Sequence, residues 1–430
     1  MPCPSPPRLG YLSAAPTVST RPDAYSAGPR AHILGVVNGF RARGWAVEPF
    51  IVGDRVGRRV TRGTLQAGLE RWPALRLAGD AARLLLAERN RRAAWAELGG
   101  RVDWVYERFA TMQVLGRRFK QQGIPWILET QGLFYYETRV ERSTVGLSGL
   151  AERIEKAAYR DCDALICISP ALKELIVEEC GVPPGKILVV PNAVELERFD
   201  LEKIPSMRYF EDPTIGFVGA LIGWQALDRL IEALGDLARE GLRFGLVVVG
   251  DGVMRESWET RAERCGIADR VRFLGRVPAT EVGRHMAGFD IGYAGAAAMR
   301  IGTMYHSPIK LYEYMAMAKP LLASDFADAR QLIEGRDTGF LFAADQPDSL
   351  KAALRRVHAE RHRLPLMGRA ARALVAAEHT WQARAGAMIE SLAGRLAAPS
   401  PAPSSAAPPS IAHELAITRE MATAREPAAP

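Results

Sequence analysis

The sequence contains few of the residues that bind metals or form disulfides. Its 430 residues include seven histidines and five cysteines, and the cysteines are scattered: Cys3, Cys162, Cys167, Cys180 and Cys265. They show neither zinc-ligand spacing nor a Cys-x-x-Cys pair, so we expect them to be small core residues in a reducing cytoplasm. Because no His-Glu-x-x-His or similar cluster is present, we expect the protein to hold no metal and no other cofactor.

Long apolar runs are missing as well. The sequence has no run of about 18 apolar residues and no charged start followed by an apolar stretch, so neither a membrane span nor a secretory signal is expected. A chain of 430 residues with 48% hydrophobic content is too long for one ordinary domain, and we expect two domains and a tail. Proline, alanine and serine dominate 397–430, which predicts a disordered tail.

The net charge of +7 is concentrated in one segment. Residues 54–101 contain eleven arginines and five acidic residues, interleaved with Leu84, Leu85, Leu86 and Trp95. This pattern indicates an amphipathic helix on an anionic membrane surface or beside another anionic partner; the alternative is a solvated helix face. The arginines include Arg55, Arg58, Arg59, Arg62, Arg83, Arg89, Arg91 and Arg92. No nucleic-acid-binding motif accompanies these arginines, so we expect no nucleic acid partner. We expect a cytoplasmic protein that can lie at the inner face of the membrane through this segment.

Apolar runs and helical stretches alternate twice along the chain, which predicts an α/β fold. The first half has apolar runs at 8–14, 47–52, 104–106, 126–129, 164–168 and 187–190, with a helix from about residue 31 to 43 after a loop. The second half has them at 214–218, 244–249, 271–274, 290–293, 320–324 and 339–342. Such runs predict parallel strands buried on both faces. We therefore predict two doubly wound domains, 1–200 and 211–378, facing each other across a cleft.

The segment 307–320, Ser-Pro-Ile-Lys-Leu-Tyr-Glu-Tyr-Met-Ala-Met-Ala-Lys-Pro, has the pattern of a short anion-binding helix. Ser307 suits the N-cap and Pro308 the first helical position, and free amides at a helix start attract phosphate. Lys310 opposes the helix dipole there, which an anion would explain. Glu313, one turn later, can accept two ribose hydroxyls. The alternative is an amphipathic helix with an incidental Glu–Lys pair.

Together the motifs resemble the retaining GT-B glycosyltransferases of the fourth family, also called group 1 glycosyl transferases. The resemblance extends from about residue 8 to 396, and the segment 307–320 is one of its two most specific parts. The second is Val-Val-Pro-Asn-Ala-Val-Glu-Leu-Glu-Arg-Phe (189–199). Three further motifs support them: Val-Val-Val-Gly-Asp-Gly (247–252), Val-Arg-Phe-Leu-Gly-Arg-Val (271–277) and Asp-Trp-Val-Tyr-Glu-Arg-Phe (103–109). The resemblance implies two Rossmann-like domains and a helix at about 379–396, containing Trp381, that crosses back onto the first domain.

The resemblance also implies roles for individual residues. Those expected to bind a nucleotide sugar are Gly28, Gly219, Gln225, Gly250, Phe273, Arg276, Ser307, Pro308, Ile309, Lys310, Leu311 and Glu313. Those expected at the catalytic centre are Glu313, Lys310, Gln131 and His32, with Glu107 and Glu129 as further candidates to contact the acceptor or the donor sugar. Gly28 is alternatively a turn glycine, Arg276 an exposed ion-pair partner and His32 an ordinary buried polar residue.

The sequence departs from the family pattern at three places. Tyr305 stands where the first Glu of the Glu-x7-Glu motif is usual, as in a Ser-Pro-x-Lys-Leu subgroup. Ala220 and Gln225 stand where an Arg and a Lys usually hold the diphosphate, and 129–132 has no histidine. Lys310, Arg30 or Arg300 are candidates to replace the missing charge.

The resemblance implies a retaining transfer of sugar from a nucleotide-diphosphate sugar to a saccharide, a lipid-linked glycan or another hydroxyl acceptor. The missing basic pair leaves open a non-catalytic GT-B protein that is a partner or regulatory subunit of another glycosyltransferase. An epimerase or phosphorylase of the same fold would need different acidic, histidine or pyridoxal-binding residues. Base, sugar and acceptor are not identified by the sequence.

Overall fold

Two six-stranded parallel sheets, one from each half of the chain, form the framework. The computed structural model describes residues 6–22, 24, 27–57, 73–141, 144–297 and 299–396. The predicted disordered tail, 397–430, and the arginines Arg58, Arg59 and Arg62 lie outside the described residues. The domain limits 1–200 and 211–378 stay a prediction.

The first sheet has the strand order β2-β1-β3-β4-β5-β6. Its strands are β1 (Arg8–Ser13), β2 (Ala46–Ile51), β3 (Trp104–Arg108), β4 (Trp126–Thr130), β5 (Ala164–Cys167) and β6 (Ile187–Val189). The helices between them are α1 (Ala27–Ala42), α2 (Val52–Arg55), α3 (Pro73–Leu98), α4 (Arg117–Gln121), α5 (Phe134–Tyr136), α6 (Ser148–Asp161) and α7 (Pro170–Cys180). A π-helical turn, Glu137–Glu141, follows α5 directly.

The second sheet has the order β12-β11-β10-β7-β8-β9. Its strands are β7 (Thr214–Val218), β8 (Gly245–Val249), β9 (Val271–Gly275), β10 (Ile291–Ala294), β11 (Leu321–Ser324) and β12 (Gly339–Phe342). Its helices are α8 (Leu227–Arg239), α9 (Arg255–Arg264), α10 (Val282–Ala287), α11 (Ile309–Ala316), α12 (Ala327–Ile333), α13 (Pro347–Ala359) and α14 (Leu364–Glu378), and a last helix, α15 (Trp381–Leu396), ends the described chain.

Burial on both faces explains why the strands were recognisable. In β1, Leu9 and Tyr11 belong to one buried apolar cluster, whereas Leu12 belongs to another. All five residues of β8 are buried. A strand covered on both faces needs apolar side chains at successive positions, which gives a continuous run in the sequence. Each predicted strand is present, with its ends within two residues of the predicted ones.

Helix α1 begins earlier than predicted, at Ala27 instead of about residue 31. Gly28 and Pro29 therefore lie in its first turn, and the prediction that Gly28 belongs to the preceding loop is wrong. Proline is accepted there because the first N–H groups of a helix have no partner within it. A Cβ at Gly28 would meet no atom within 4 Å, so the space beside this glycine is open.

Helix α15 packs along α1, and two glycines of α1 allow the close approach. A Cβ at Gly35 would lie 2.1 Å from Nε1 of Trp381, and one at Gly39 would lie 2.6 Å from the backbone oxygen of Trp381. Thr380, just before α15, pairs with Val194 in an isolated bridge. The end of the chain is thereby fixed beside the connection between the two sheets.

Replacing Gly39 with alanine is expected to lower the free energy of unfolding by about 1–3 kcal/mol, because the added methyl group meets backbone that cannot move without shifting α15. The measurement is the thermal unfolding midpoint. Gly394→Ala is the matched control, since a Cβ at Gly394 in α15 meets no atom within 4 Å. It should leave the midpoint unchanged or slightly raised. Equal midpoints for Gly39→Ala and the parent protein would contradict this packing.

Candidate functional site

The carboxyl edge of the second sheet has a topological switch between β7 and β10. Strands β8 and β9 lie to one side of this point and β11 and β12 to the other. The connections after β7 and β10 therefore run apart, and the crevice between them is where open parallel sheets bind ligands. Residues 219–226 follow β7, and residues 295–308 follow β10 and lead into α11.

The start of α11 differs from the prediction. The helix begins at Ile309, Pro308 is extended (φ −71°, ψ 117°), and no side chain caps it. Oγ of Ser307 instead accepts a hydrogen bond from the backbone N of Asn192 (2.9 Å) and contacts Oδ2 of Asp328. The roles of Ser307 as N-cap and Pro308 as first helical residue are thus wrong, because the Ser307 hydroxyl is used to join the two halves.

Lys310 and Gln225 are brought together at the switch point. Nζ of Lys310 donates a hydrogen bond to Oε1 of Gln225 (2.6 Å) and lies 3.9 Å from the centre of the Phe217 ring. Burial lowers the pKa of Lys310 to about 7, although the charge of Glu313 acts in the opposite direction. Gln225, predicted to bind the nucleotide sugar, therefore contacts the lysine that was predicted to do the same.

Two predicted binding glycines shape the loops around this lysine. Gly219 and Gly250 have φ of +152° and +135°, and a Cβ at Gly250 would lie 1.9 Å from the backbone oxygen of Gly219. Their N–H groups already donate to the oxygens of Val249 and Gly275. The loops after β7 and β8 can approach this closely only with glycine at both positions.

Glu313 lies where α11 faces the first half of the chain. It lines a small cleft together with Ala31, Val194, Glu195, Arg198, Ile309 and Trp381. Burial raises its pKa, while Arg198 and Lys310 act to lower it. Arg198 was not singled out in the sequence, although it belongs to the 189–199 motif. It contacts Glu195 (3.8 Å), which also accepts a hydrogen bond from Asn38.

Arg30 and Arg300, the two other cations predicted to replace the missing charge, donate hydrogen bonds to backbone oxygens instead. Nε of Arg30 donates to the oxygens of Thr20 and Arg21, both at 2.9 Å. Arg300 donates to the backbone oxygen of Val140 in the first half (3.2 Å). Of the three candidates, Lys310 is the one placed beside the loop that follows β7.

The predicted base-binding residues lie at the end of β9. Phe273 is partly buried and Arg276, just beyond the strand, is exposed. Arg255, which the sequence gave no reason to select, donates to the backbone oxygen of Phe273 (3.4 Å) and lies 3.9 Å from Asp251. Arg255 thus lies at the same end of β9 as Phe273. The contact of Phe273 with a base stays a prediction.

A buried polar group occupies the facing edge of the first sheet. Nε2 of His32 lies 2.7 Å from Oε1 of Glu129 and 3.1 Å from Nε2 of Gln131. Nε2 of Gln131 donates a hydrogen bond to Oε1 of Glu129 (2.6 Å). Burial acts to raise the pKa of Glu129, but His32 and Arg108 outweigh it and hold that pKa below its ordinary value. Three residues selected from the sequence are thus in mutual contact, and Trp381 packs edge-on against His32.

Glu107 is separate from this group. Its carboxylate accepts hydrogen bonds from the backbone N of Leu115 (2.7 Å) and Gly116 (2.8 Å) at the start of α4. Burial raises its pKa to about 7 despite these bonds. Its candidacy as a substrate-contacting residue is wrong, because both carboxylate oxygens hold the backbone before a helix.

Tyr305, the residue in place of the usual first Glu, joins the first half. It is fully buried in an apolar cluster of that half, which also includes Met299. Its hydroxyl donates to Oε1 of Glu137 (2.8 Å), and its backbone oxygen accepts from Oγ of Ser169 (2.6 Å). Glu137, which begins the π-helical turn, is a buried carboxylate that the sequence did not reveal.

No group of three or more His, Cys, Asp or Glu side chains within the described ranges is arranged to hold a metal ion.

Sequence comparisons match the two halves to two glycosyltransferase families. "Glycosyltransferase Family 4" matches residues 27–198 and "Glycosyl transferases group 1" matches residues 212–360. A GDP-mannose-dependent alpha-(1-6)-phosphatidylinositol monomannoside mannosyltransferase of Mycobacterium tuberculosis is 27% identical over 221 residues, which is 49% of this chain and 57% of that protein. The 2-deoxystreptamine glucosyltransferase of Streptomyces kanamyceticus is 28% identical over 33% of this chain and 39% of its own length. The matched segments thus cover 57% and 39% of these two relatives, which is less than two thirds of either.

Solved structures share the fold. Sucrose-phosphate synthase of Thermosynechococcus elongatus superposes with a TM-score of 0.68 at 16% identity, covering 91% of this chain and 99% of that chain. Anabaena HepE in complex with UDP-glucose has a TM-score of 0.61 at 16% identity, covering 90% and 99%. The predicted fold class is therefore confirmed. With a Glycosyltransferase Family 4 domain followed by a Glycosyl transferases group 1 domain, the chain belongs to the GT-B glycosyltransferases.

Proposed function

We propose that the protein is a retaining glycosyltransferase, which moves a sugar from a nucleotide-diphosphate sugar to a hydroxyl acceptor without a metal ion. The observation that supports this most is the convergence of Lys310, Glu313 and the start of α11 at the switch point of the second sheet. One relative is named as GDP-mannose-dependent, and HepE was solved with UDP-glucose. Both names agree with a nucleotide-sugar donor.

In the proposed complex, the donor's diphosphate lies at the start of α11 and its ribose lies against Glu313. The first amides of a helix and the helix dipole favour an anion, and an ammonium group from Lys310 adds a full charge. A carboxylate can accept hydrogen bonds from two neighbouring hydroxyls, which fits a ribose. The diphosphate is the leaving group, so these donors act where negative charge develops during the reaction.

The polar group of the first sheet is proposed to face the transferred sugar or the acceptor. His32, Glu129 and Gln131 fix each other's orientation before any ligand arrives, because each is hydrogen-bonded to another member of the group. Fixed polar groups hold two reactants close together at little entropic cost. In a retaining transfer on one face of the sugar, an oxygen of the leaving phosphate can take the acceptor proton, and no protein carboxylate has to attack.

Replacing Glu313 with alanine is expected to lower kcat/KM by roughly tenfold to a hundredfold, because hydrogen bonds to a charged carboxylate are lost. The fold should remain intact, since the side chain lines a cleft. The measurement is product mass with a panel of donors that includes UDP-glucose and GDP-mannose. Glu334→Ala, at an exposed glutamate of the same half, is the control. Full activity of Glu313→Ala would reject this assignment, and absence of donor binding in the parent protein would favour the non-catalytic partner.

We further propose that α3 binds an anionic membrane surface. Four leucines of α3 are exposed, with Leu85 at 75% the most exposed, then Leu77, Leu75 and Leu86. Arg89 is exposed on the same helix, whereas Arg91 and Arg92 both pair with Glu88. Exposed leucines beside a basic side chain fit a lipid surface better than a solvated helix face. No described helix is both long and apolar enough to span a bilayer.

Changing Leu85 to serine together with Arg89 to glutamine is expected to weaken binding to phosphatidylglycerol vesicles roughly tenfold or more, because apolar burial and one attractive charge are lost. Vesicle co-sedimentation is the measurement. The matched control is Leu366→Ser with Arg369→Gln on the exposed face of α14. Binding that is unchanged by the α3 substitutions, or equal on phosphatidylcholine vesicles, would show that α3 is a solvated helix.

A further inference from the structure

The ammonium group of Lys310 is buried among neutral partners. Its Nζ contacts Oε1 of Gln225 and the face of Phe217. A Cβ at Gly219 would lie 3.3 Å from Nζ, which places this atom against the loop that follows β7. Among the described residues no carboxylate forms an ion pair with it, and Glu313 acts on it only through space. A buried ammonium without a counter-charge is costly, and a lysine in that setting readily loses its proton.

The charged and titratable groups around α11 have other partners. Arg198 faces Glu195, Asp328 on α12 contacts Ser307 and Tyr312, and Arg372 on α14 donates to the backbone at the far end of α11. From β10, the Tyr293 hydroxyl donates to the backbone oxygen of Ala226. Within the described part of the chain, Glu313 is the titratable group whose charge affects the pKa of Lys310. The protonation of Lys310 is therefore free to respond to an incoming anion.

The hydrogen bond to Gln225 holds the amine of Lys310 in place. Its amide oxygen accepts a hydrogen bond from Lys310 over 2.6 Å but carries no charge that would keep the amine protonated. A glutamate here would form a buried ion pair, and an aliphatic side chain would leave the amine without a hydrogen-bond acceptor. The amide of Gln225 therefore positions Nζ of Lys310 without fixing whether this amine is protonated.

We propose that Gln225 is a positioning residue that holds the amine of Lys310 beside the diphosphate site, and that donor binding is coupled to uptake of one proton from solvent by Nζ of Lys310. This inference rests on the proposed function. The amine gains a proton from the buffer, no bond of the donor breaks in this step, and the resulting ammonium is neutralised by the diphosphate.

The coupling has a defined sign. The pKa of Lys310 without donor is about 7, and a bound dianion raises it. Donor affinity is therefore constant below about pH 7 and falls as the pH rises above it, by up to about tenfold per pH unit, until the pKa of the bound form is reached. An ordinary lysine would stay charged throughout this range and give no such dependence.

The test is calorimetric titration with UDP-glucose and GDP-mannose, repeated at pH 7 and pH 8 in two buffers with different heats of ionisation. Wild-type protein is expected to take up about half a proton at pH 7 and close to one at pH 8. Lys310→Met should abolish the uptake and weaken binding roughly tenfold or more. Donor binding without proton uptake by wild-type protein would overturn the inference but not the proposed function, whereas absence of any binding would overturn both.

The Gln225→Glu variant distinguishes positioning from a purely structural role. A glutamate of nearly the same shape keeps Lys310 protonated, so proton uptake at pH 8 should disappear while affinity falls because a negative charge now faces the diphosphate. Gln346→Glu, at an exposed glutamine of the same half, is the control and should retain full uptake. Unchanged uptake in Gln225→Glu would reject the role of Gln225. Circular dichroism confirms that each variant is folded.

Discussion

The hydrogen bonds between Asn192 and Ser307 are the contacts on which the site depends. Asn192 follows the last strand of the first sheet, and Ser307 precedes α11 of the second. The backbone N of Asn192 donates to Oγ of Ser307, and the side-chain amide of Asn192 donates to the backbone oxygen of Ser307. Asp328 and Tyr312 complete the junction from within the second half. Since α11 starts two residues after Ser307, this junction sets where its free amides point.

Few positively charged side chains lie beside the loop after β7 and the start of α11. With Ala220 and Gln225 in the loop after β7, Lys310 is the cation placed beside that loop, and burial lowers its pKa to about 7. Arg30 and Arg300 hold backbone of the first half instead. Glu313 and Arg198, across the cleft, balance each other in part. Under the proposed proton uptake, this site has little net charge without a donor and gains positive charge as the donor binds.

The sequence was sufficient for the framework because its determinants are local. A strand buried on both faces, such as β8, must consist of apolar residues wherever it lies, and glycines with positive φ, such as Gly250, mark tight turns. The site was less predictable because its decisive contacts join residues far apart in the chain. Ser307 has the local character of an N-cap, but the contact with Asn192 overrides it. Lys310 and Gln225, like Tyr305 and Glu137, are far apart in the sequence, so the spacing of nearby residues cannot predict these contacts.

The burial of Tyr305 and Met299 in the apolar cluster of the first half has a mechanical consequence. These residues belong to the connection after β10, so a loop of the second sheet is part of the core of the first. Separating the two sheets as rigid bodies would have to withdraw both side chains into water, which opposes the motion in proportion to the apolar area exposed. Exchange of ligands at the cleft should therefore proceed through local movement of its rim, such as the loop after β7, rather than through a wide hinge opening.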